Sequence, residues 1–331
     1  MKLLVTGGLG FIGSNFIRYV LAKHDDVQVI NLDKLSIGSN PANLRNIKAG
    51  RRYKLIKGDI TNKRLVKDLV SQVDAVVNIA AETHVDRSIA DPWPFIQSNI
   101  LGALTLFEAC KDHEKSILHV STDEVYGDII EGSFTEDDRL KPSSPYSASK
   151  AAADLLGLAY HRTYGLNIVM ARCTNNFGPY QFPEKLIPKT IIRAYHNLPI
   201  PVYGKGQNIR DWIYVNDFCE ALDMLLRNGR SGEIYNVSAG NELKNTEVIK
   251  TILNIMGKPD ELITFVEDRP GHDLRYSLDS SKIKAELGWK PKHSFHEAIK
   301  ATVNWYLNNE WWWKPLATEQ VLHPTPWKLK W

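Results

Sequence analysis

A tyrosine and a lysine four positions apart, Tyr146 and Lys150, form a pair that could move a proton. Two other pairs have the same spacing, Tyr19 with Lys23 and Tyr53 with Lys57. Context separates them, because only Tyr146 follows Pro-Ser-Ser-Pro and begins a predicted helix, on which positions i and i+4 share a face. An isolated tyrosine has a pKa of about 10, and a cation beside it favours the phenolate. We therefore predict that Tyr146 removes a hydroxyl proton as a hydride leaves the same carbon.

Two adjacent carboxylates, Asp123 and Glu124, follow Thr122 at the end of a predicted strand. An isolated Asp-Glu pair is usually a charged loop, but ligands bind at the carboxyl ends of strands in open parallel sheets. Two acids in one site can hold different protonation states, so that one donates a proton while the other removes one. Thr122 is placed to hydrogen-bond the reacting oxygen. These residues predict acid–base elimination in addition to hydride transfer.

A sheet must position these residues, and the first 175 residues have the pattern of one. Short apolar runs, most of them continuous, alternate with helical stretches, which is typical of strands buried on both faces. The predicted strands are residues 3–6, 27–32, 53–56, 75–79, 117–121 and 167–172, and the predicted helices include residues 11–23 and 147–164. This order predicts an α/β protein with a Rossmann-type doubly wound parallel sheet.

The rhythm changes after position 175, where prolines interrupt shorter elements. We predict three regions. A dinucleotide-binding Rossmann domain with the Tyr/Lys helix spans 1–175, a smaller mixed α/β lobe that mainly binds substrate spans 176–310, and a Trp/Pro-rich tail spans 311–331. Five of the nine tryptophans lie in that tail. We expect the tail to pack on the body of the protein or on a partner subunit and to take no part in catalysis.

A glycine-rich turn joins the first predicted strand to the first predicted helix. Gly7, Gly10 and Gly13 leave room for a pyrophosphate, whose charge the start of a helix stabilises. Asp33 ends the second predicted strand, 20 residues after Gly13, where a carboxylate binds an adenosine ribose and repels a 2′-phosphate. The pattern predicts NAD rather than NADP as the cofactor, against the alternative of a purely structural turn. Asp59 could lie beside the adenine or be a helix cap before Thr61.

Composition excludes several classes of protein. The 331 residues carry 41 Lys and Arg against 38 Asp and Glu, a net charge of +3 that does not indicate a nucleic-acid binder. The apolar fraction of 43% is too high for a disordered chain. Three cysteines without a Cys-x-x-Cys pair suggest neither a disulfide scaffold nor a metal site. No apolar run reaches about 18 residues and no secretion signal is recognisable, so we expect a cytoplasmic protein that binds neither membrane nor metal.

The GxxGxxG spacing of the turn and the Tyr-x-x-x-Lys pair resemble the extended branch of the short-chain dehydrogenase/reductase superfamily. Further motifs are similar to those of the dTDP-glucose 4,6-dehydratase family, from residue 1 to about residue 308. They are THVDRS (83–88), STDEVYGD (121–128), PSSPYSASK (142–150), NNFGPYQFPEKLIP (175–188), IRDWIYVND (209–217) and DRPGHD (268–273). Related epimerases usually carry small polar residues in place of Asp123 and Glu124, so the acid pair favours the dehydratases. The tail lies outside this resemblance.

The resemblance implies a three-step reaction on dTDP-glucose with bound NAD. Tyr146 takes the proton of the 4-hydroxyl as hydride passes from carbon 4 to NAD, with Thr122 on the 4-oxygen and Lys150 on the nicotinamide ribose. Glu124 then removes the carbon-5 proton while Asp123 protonates the departing 6-hydroxyl, and water is lost. The hydride returns to carbon 6 and leaves dTDP-4-keto-6-deoxyglucose, a precursor of rhamnose and other deoxysugars.

The resemblance also implies two sets of binding residues. The cofactor set is Gly7, Gly10, Phe11, Ile12, Gly13, Asp33, Lys34, Asp59, Ile60, Ala80, Ala81, Ser98, Tyr146, Lys150 and Asn176. The substrate set is Thr83, Thr122, Asn175, Lys185, Leu186, Pro201, Tyr203, Arg210, Asn245, Arg269 and His272. Arginine suits the diphosphate because its planar guanidinium can bind two phosphate oxygens. Taken singly, the cations could equally be surface residues and His272 a turn residue.

Two other hypotheses remain open. The chain could be an epimerase or a dehydratase of another nucleotide sugar, because the residues do not fix the nucleobase. It could also be a non-catalytic NAD or nucleotide-sugar sensor, although such proteins tend to lose the Tyr or the Lys. By resemblance we expect a homodimer in which the helices near residues 98–111 and 147–164 pack across a twofold axis. The apolar stripe of Ile100, Leu104 and Phe107 permits this, but it is equally consistent with an internal core.

Overall fold

The computed structural model describes all 331 residues, Met1–Trp331. The strands are β1 (Lys2–Thr6), β2 (Gln28–Asp33), β3 (Tyr53–Lys57), β4 (Ala75–Asn78), β5 (Ser116–Thr122), β6 (Ile168–Cys173), β7 (Asn175–Phe177), β8 (Ile200–Tyr203), β9 (Ile209–Tyr214), β10 (Ile234–Val237), β11 (Glu242–Lys244) and β12 (Ile263–Val266). The helices are α1 (Phe11–Lys23), α2 (Lys63–Ser71), α3 (Val85–Ala90), α4 (Trp93–Phe95), α5 (Ala103–Asp112), α6 (Pro145–Tyr164), α7 (Leu186–Tyr195), α8 (Val215–Asn228), α9 (Asn245–Met256), α10 (Ser281–Leu287), α11 (Phe295–Asn308) and α12 (Glu310–Trp313). A π-helical stretch, Ile96–Gly102, joins α4 to α5, and short 3₁₀ turns lie at Pro41–Leu44, Asp123–Val125, Asp260–Leu262 and Pro326–Lys328.

Seven strands form one parallel sheet in the order β3-β2-β1-β4-β5-β6-β10. The first six follow the strand order of a dinucleotide-binding fold, in which the order reverses between β1 and β4. Each of these six strands begins and ends within one residue of its predicted position, and α1 spans the predicted residues. The predicted Rossmann-type α/β fold is confirmed.

Both faces of this sheet are buried, which explains the continuous apolar runs of its strands. In β1, Leu3 and Val5 belong to the core on one face, and Leu4 belongs to the core on the other. Residues of α1 and α8 cover the first face, and residues of α5 and α6 cover the second. None of the helices combines the length and the apolar character that crossing a membrane requires.

The other strands form two small sheets, β7-β9-β11 and β8-β12, which pack with α7, α9 and α11. The division of the chain at residue 175 is less clean than expected. Helix α8 packs on α1, and β10 joins the large sheet beside β6, so residues 215–237 return to the first part of the molecule. A single strand of four residues between turns gives too little periodicity to be assigned to a sheet from the sequence.

The Trp-rich tail packs on the body of its own chain, which is one of the two expected arrangements. Trp312 and Trp313 are buried against α11 and its neighbours. The indole Nε1 of Trp312 donates a hydrogen bond of 2.7 Å to Oδ1 of Asn43, and that of Trp313 donates one of 2.9 Å to the carbonyl of Tyr306. Trp327, near the end of the chain, is also buried. The tail therefore packs against residues that lie far from it in sequence, such as Asn43.

Candidate active site

A cleft at the carboxyl ends of β1, β4, β5 and β6 collects most of the predicted site residues. It encloses about 1460 Å³, including its open mouth. The predicted residues on its wall are Gly7, Gly10, Phe11, Ile12, Gly13, Asp33, Lys34, Ile60, Ala80, Ala81, Thr83, Ser98, Thr122, Asp123, Glu124, Tyr146, Lys150, Asn175, Asn176 and Lys185. Open α/β sheets bind their ligands at this edge.

The glycine turn forms a cradle that fits the pyrophosphate of a dinucleotide. Gly7 has a φ of 68°, and a Cβ atom on it would lie 2.7 Å from the Cα atom of Ala80. A Cβ atom on Gly13 would collide with the carbonyl oxygen of Gly7. Gly10 precedes α1 and supplies no side-chain cap, so the first N–H groups of the helix stay available for an anion. The residues present therefore fit the predicted NAD.

Asp33 lies on the cleft wall, and its carboxylate also orders the surrounding loop. Its Oδ2 accepts a hydrogen bond of 2.9 Å from the N–H of Leu9. Its Oδ1 accepts bonds of 2.8 Å from the N–H of Leu35 and from the hydroxyl of Ser39. A carboxylate has about four acceptor positions, so Asp33 keeps acceptor capacity for a ribose hydroxyl while it fixes the glycine turn.

Two predicted cofactor residues meet across the cleft, and a third lies outside it. The Nζ of Lys34 donates a hydrogen bond of 2.6 Å to the hydroxyl of Ser98. Asp59 is absent from the wall, although its neighbour Ile60 is part of it. The Oδ1 of Asp59 accepts bonds of 2.8 and 2.9 Å from the backbone N–H and the hydroxyl of Thr61. Asp59 thus orders a local turn through one oxygen, and it does not cap the next helix, because the cap of α2 is Asn62. Its contact with the adenine stays a prediction.

Helix α6 carries the Tyr/Lys pair and has a well-defined beginning. Ser144 accepts from the backbone N–H of Ser147, whose hydroxyl in turn accepts from the backbone of Ser144, and Pro145 occupies the first helical position. This capping starts the helix two residues before its predicted first residue. Tyr146 and Lys150 are both buried on the face of α6 that meets the sheet.

The phenol of Tyr146 lies beside Thr122, but it is not poised as a phenolate. Burial, together with the charge of Glu124, raises the pKa of Tyr146 well above its usual value, and the hydrogen bond with Thr122 opposes that rise only partly. The Nζ of Lys150 donates a bond of 2.7 Å to the carbonyl of Val120, and its effect on the phenolate stays a prediction. Burial also lowers the pKa of Lys150. In the protein alone, therefore, Tyr146 holds its proton.

Asp123 and Glu124 lie on the 3₁₀ turn after β5 and have different surroundings. Burial, and then the charge of Glu124, raises the pKa of Asp123 to about 8, so this acid is mostly protonated at neutral pH. Its Oδ1 accepts a bond of 3.0 Å from the hydroxyl of Thr122, and its Oδ2 is buried without a hydrogen-bond partner. Burial raises the pKa of Glu124 as well, but the charges of Arg269 and Arg210 oppose this rise. The pair thus places a protonated acid beside a second acid whose charged form the nearby arginines favour.

Seven predicted substrate residues do not line this cleft. They are Leu186, Pro201, Tyr203, Arg210, Asn245, Arg269 and His272, and they belong to the adjoining part of the molecule. The charges of Arg210 and Arg269 nevertheless act on Glu124, so both side chains lie next to the cleft. The Nε of Arg269 and the Oδ1 of Asn245 are buried without a hydrogen-bond partner. Polar atoms there remain free for a ligand.

Several of these side chains are paired with acids. Asp86 on α3 accepts a bond of 2.8 Å from the hydroxyl of Tyr203 and one of 2.9 Å from Nη1 of Arg269. The Nδ1 of His272 lies 2.6 Å from Oδ1 of Asp268. Burial, and then the charge of Arg269, lowers the pKa of His272 to about 4, so the ring is neutral. The acid Asp86 lies within the motif at residues 83–88, but the sequence alone gave no reason to single it out.

Sequence reasoning also missed three cleft residues between β7 and α7, which are Gln181, Phe182 and Glu184. The Oε1 of Glu184 pairs with Arg87 at 3.1 Å. The Oε2 of Glu184 and the Oε1 of Gln181 are buried without hydrogen-bond partners. All three lie in the motif at residues 175–188, so the signal was present without a chemical reason to assign them.

Comparisons with known proteins agree with this geometry. The profile of the family described as GDP-mannose 4,6 dehydratase matches residues 4–302. A dTDP-glucose 4,6-dehydratase of Streptomyces niveus is 47% identical, and the alignment covers 98% of this chain and 98% of that enzyme. The low-salt glycan biosynthesis protein Agl12 of Haloferax volcanii is 50% identical over 94% of this chain and 100% of its own length.

A solved structure is similar over the same extent. DesIV, the dTDP-glucose 4,6-dehydratase of Streptomyces venezuelae with NAD and TYD bound, superposes with a TM-score of 0.94 at 47% identity, over 96% of this chain and 100% of that chain. The motifs alone left the Trp-rich tail outside the resemblance. The alignment with the Streptomyces niveus enzyme covers 98% of this chain, so it includes most of the tail. On these findings the chain belongs to the dTDP-glucose 4,6-dehydratase family.

Proposed function

We propose that the protein converts dTDP-glucose to dTDP-4-keto-6-deoxyglucose and water, with NAD bound throughout the cycle. The observation that carries this proposal is the acid pair beside the tyrosine. Asp123 is mostly protonated, Glu124 faces cations, and both share one cleft with Tyr146. Hydride transfer alone needs no second acid, whereas the elimination of water needs both a proton donor and a base.

The cofactor would be held along the wall between the glycine turn and α6. Gly7, Gly10 and Gly13 would receive the pyrophosphate, Asp33 the adenosine ribose, and Lys150 the nicotinamide ribose. Bound NAD supplies the hydride acceptor of the first step and the hydride donor of the last. This assignment is supported by the cradle at the turn, by the free N–H groups at the start of α1 and by the NAD in the related DesIV structure.

Tyr146 is the group that takes the proton of the sugar 4-hydroxyl. Thr122, which lies beside the phenol, would hold the 4-oxygen in place. Because the phenol is protonated in the protein alone, ligand binding must favour the phenolate. A movement of Lys150 away from the carbonyl of Val120 would bring a cation closer to the phenol and have this effect.

Asp123 and Glu124 carry out the loss of water. The 4-keto group of the oxidised sugar acidifies carbon 5, and the carboxylate of Glu124 removes the proton from that carbon. Asp123, which keeps its proton up to about pH 8, gives it to the 6-hydroxyl, which leaves as water. When hydride is returned to carbon 6, Glu124 gives its proton back to carbon 5 and completes the product. The unpartnered Oδ2 of Asp123 supports this role, because no group of the protein competes for it.

The nucleotide would lie on the side where Arg210, Arg269 and Lys185 gather around the cleft. Arginine can hold two phosphate oxygens at once, and the unpartnered Nε of Arg269 is available for one. In this arrangement residues 1–175 mainly hold the cofactor and residues 176–310 mainly hold the nucleotide sugar. Thr83 and Asn175 would contact the sugar from the two sides of the cleft.

Incubation of the NAD-loaded protein with dTDP-glucose, followed by mass spectrometry, tests this function. We expect a product lighter by one water, and a product of unchanged mass would indicate an epimerase instead. In the variant Asp123→Asn/Glu124→Gln, reduction of NAD by the sugar should persist while water loss falls by about two to four orders of magnitude. Undiminished dehydration in that variant would assign the acid–base chemistry to other groups.

We further propose that the protein works as a homodimer in the cytoplasm. Large apolar side chains are exposed on the two helical segments expected at the twofold axis, among them Leu101 at 46% and Leu155 at 58% exposure. The two segments pack against each other, and exposed apolar side chains on adjoining elements are typical of a subunit interface. The three cysteines are buried and unpaired, which suits a reducing compartment.

A further inference from the structure

The last fourteen residues, 318–331, form a segment that we call the C-terminal strap. The strap is fastened first to α7, the helix that begins beside the cleft. The carbonyl of Leu322 accepts a hydrogen bond of 2.8 Å from Nη1 of Arg193, and that of His323 accepts one of 3.2 Å from Nζ of Lys189. Because two cations of α7 hold its backbone, the strap has a fixed path past the nucleotide side of the site.

Trp327 is the part of the strap that meets a proposed nucleotide-binding residue. Its ring packs edge to face against Tyr203, with ring centroids 4.8 Å apart and an interplanar angle of 81°. The side chain of Trp327 is buried, and the hydroxyl of Tyr203 is fixed by Asp86 at 2.8 Å. Tyr203 is therefore held at both ends, by an aromatic partner along its ring and by a carboxylate at its hydroxyl.

The end of the strap rests on α3 and on the segment that carries Arg269. Lys328 forms an ion pair with Glu267, two residues before Arg269. The ring of Trp331 lies 5.5 Å from the guanidinium carbon of Arg87, which follows Asp86 on α3. The exposed ion pair adds little stability by itself, so the hydrogen bonds from α7 and the buried ring of Trp327 are what hold the strap.

Asp86 connects Tyr203, which the strap contacts, to Arg269. Besides the hydroxyl of Tyr203, it accepts a hydrogen bond of 2.9 Å from Arg269, whose Nε is unpartnered. We propose that the C-terminal strap positions the nucleotide-binding side of the substrate site, with Trp327 as the positioning residue that fixes Tyr203. This inference rests on the proposed function, which places Arg269 at the nucleotide, and on the prediction that Tyr203, which is bound to the same Asp86, belongs to the substrate-binding residues. Because Trp327 contacts Tyr203, which does not line the cleft that holds the acid pair, we expect the strap to act on nucleotide affinity.

Calorimetric titration of the NAD-loaded protein with dTDP tests the proposal. Replacing Trp327 by Ala removes the edge-to-face contact. We expect the Kd for dTDP to rise about fivefold, which corresponds to the free energy of one aromatic pair. Trp327→Leu keeps an apolar side chain without the ring, so the same rise is expected and the test does not depend on the alanine variant folding. Trp327→Phe restores an aromatic partner and should stay within about twofold of the parent.

Two further measurements separate positioning from a general loss of structure. For dTDP-glucose, KM should rise in Trp327→Leu while kcat and the NAD content stay at the parental values. In a Tyr203→Ala background the same substitution should cause no further rise in Kd, because its effect passes through Tyr203. Trp311→Ala is the matched control, since Trp311 is 40% exposed and packs on Arg45 instead.

The outcomes distinguish this inference from the proposed function. If the parent does not bind dTDP, the proposed function fails and the inference falls with it. If the parent binds dTDP and the folded Trp327 variants bind it equally well, the inference alone is overturned. A rise in Kd that is just as large in the Tyr203→Ala background would also overturn it, because Trp327 would then act by another route.

Discussion

The guanidinium Nε of Arg172 donates a hydrogen bond of 2.9 Å to Oδ2 of Asp154, and both side chains are fully buried. Asp154 lies one turn after Lys150 on α6, and its charge raises the pKa of Lys150 against the effect of burial. Nη1 of Arg172 also donates a bond of 2.7 Å to the hydroxyl of Tyr126, at the end of the turn that carries the acid pair. One buried ion pair thus connects the two segments that bear the proposed catalytic groups.

Loss of one partner of this pair should be costly. Asp154→Asn leaves the charge of Arg172 buried without its counter-ion, and we expect it to lower the free energy of unfolding by about 3–5 kcal/mol. Urea denaturation followed by circular dichroism measures this. The double variant Asp154→Leu/Arg172→Met removes both charges and should be more stable than Asp154→Asn. Parental stability in Asp154→Asn would show that the pair contributes nothing.

The pKa of Asp123 sets an upper pH limit for the loss of water. The side chain must carry its proton to donate it, and the protonated fraction falls as the pH rises through about 8. In single-turnover experiments the dehydration rate should therefore decline tenfold per pH unit above that value, while sugar oxidation does not share this limb. A dehydration rate that stays constant well above pH 8 would contradict the role given to Asp123. Asp123→Asn provides the control, because its residual rate should lack this limb.

Gly7→Ala should damage the cofactor site and the stability of the turn. Its φ of 68° and the backbone of Ala80, 2.7 Å from the added Cβ atom, leave no room for a side chain. We expect a loss of about 1–3 kcal/mol in the free energy of unfolding and a lower NAD content in the purified protein, read from its absorbance. Gly50→Ala is the control, since no atom lies within 4 Å of its Cβ position. Equal NAD content in the Gly7 and Gly50 variants would disprove the cradle.

Leu155→Asp should disrupt the proposed homodimer. The side chain is 58% exposed on α6, and a buried unpaired carboxylate at an interface opposes association. Sedimentation velocity should show the parent as a dimer and the variant as a monomer with unchanged circular dichroism. Ile130→Asp serves for comparison, because Ile130 is 64% exposed on a loop away from α6 and should leave the dimer intact. A parent that sediments as a monomer would refute the proposal directly.

The part of the fold that local sequence determines was predictable. The glycine turn, α1 and Asp33 lie within about thirty consecutive residues, and each of their signals has a local physical reason. The Tyr/Lys pair and the acid pair lie in one cleft, because parallel strands bring their carboxyl ends to the same edge, and their chemical roles stay predictions. The raised pKa of Tyr146 was not predictable, since it depends on the burial of the phenol and on the charge of Glu124.

The nucleotide side could not be worked out from the residues alone, because its contacts join distant parts of the chain. Asp86 and Arg269 are 183 positions apart, and Asp86 and Tyr203 are 117 apart. No spacing rule connects residues across such intervals. The pairing of β10 with the large sheet could not be predicted for the same reason, since its partner β6 ends about sixty residues earlier.

The late arrival of β10 has a consequence for how the molecule is made. A nascent chain that has passed residue 173 but has not reached residue 234 carries β6 as the outermost strand of its sheet, with every side chain of that strand destined for the interior. An unpaired apolar edge of this kind attracts strands of other chains. While the roughly sixty intervening residues are being translated, the unpaired edge of β6 can pair wrongly with strands of other chains. A fragment cut at residue 175 would keep that edge permanently and should aggregate.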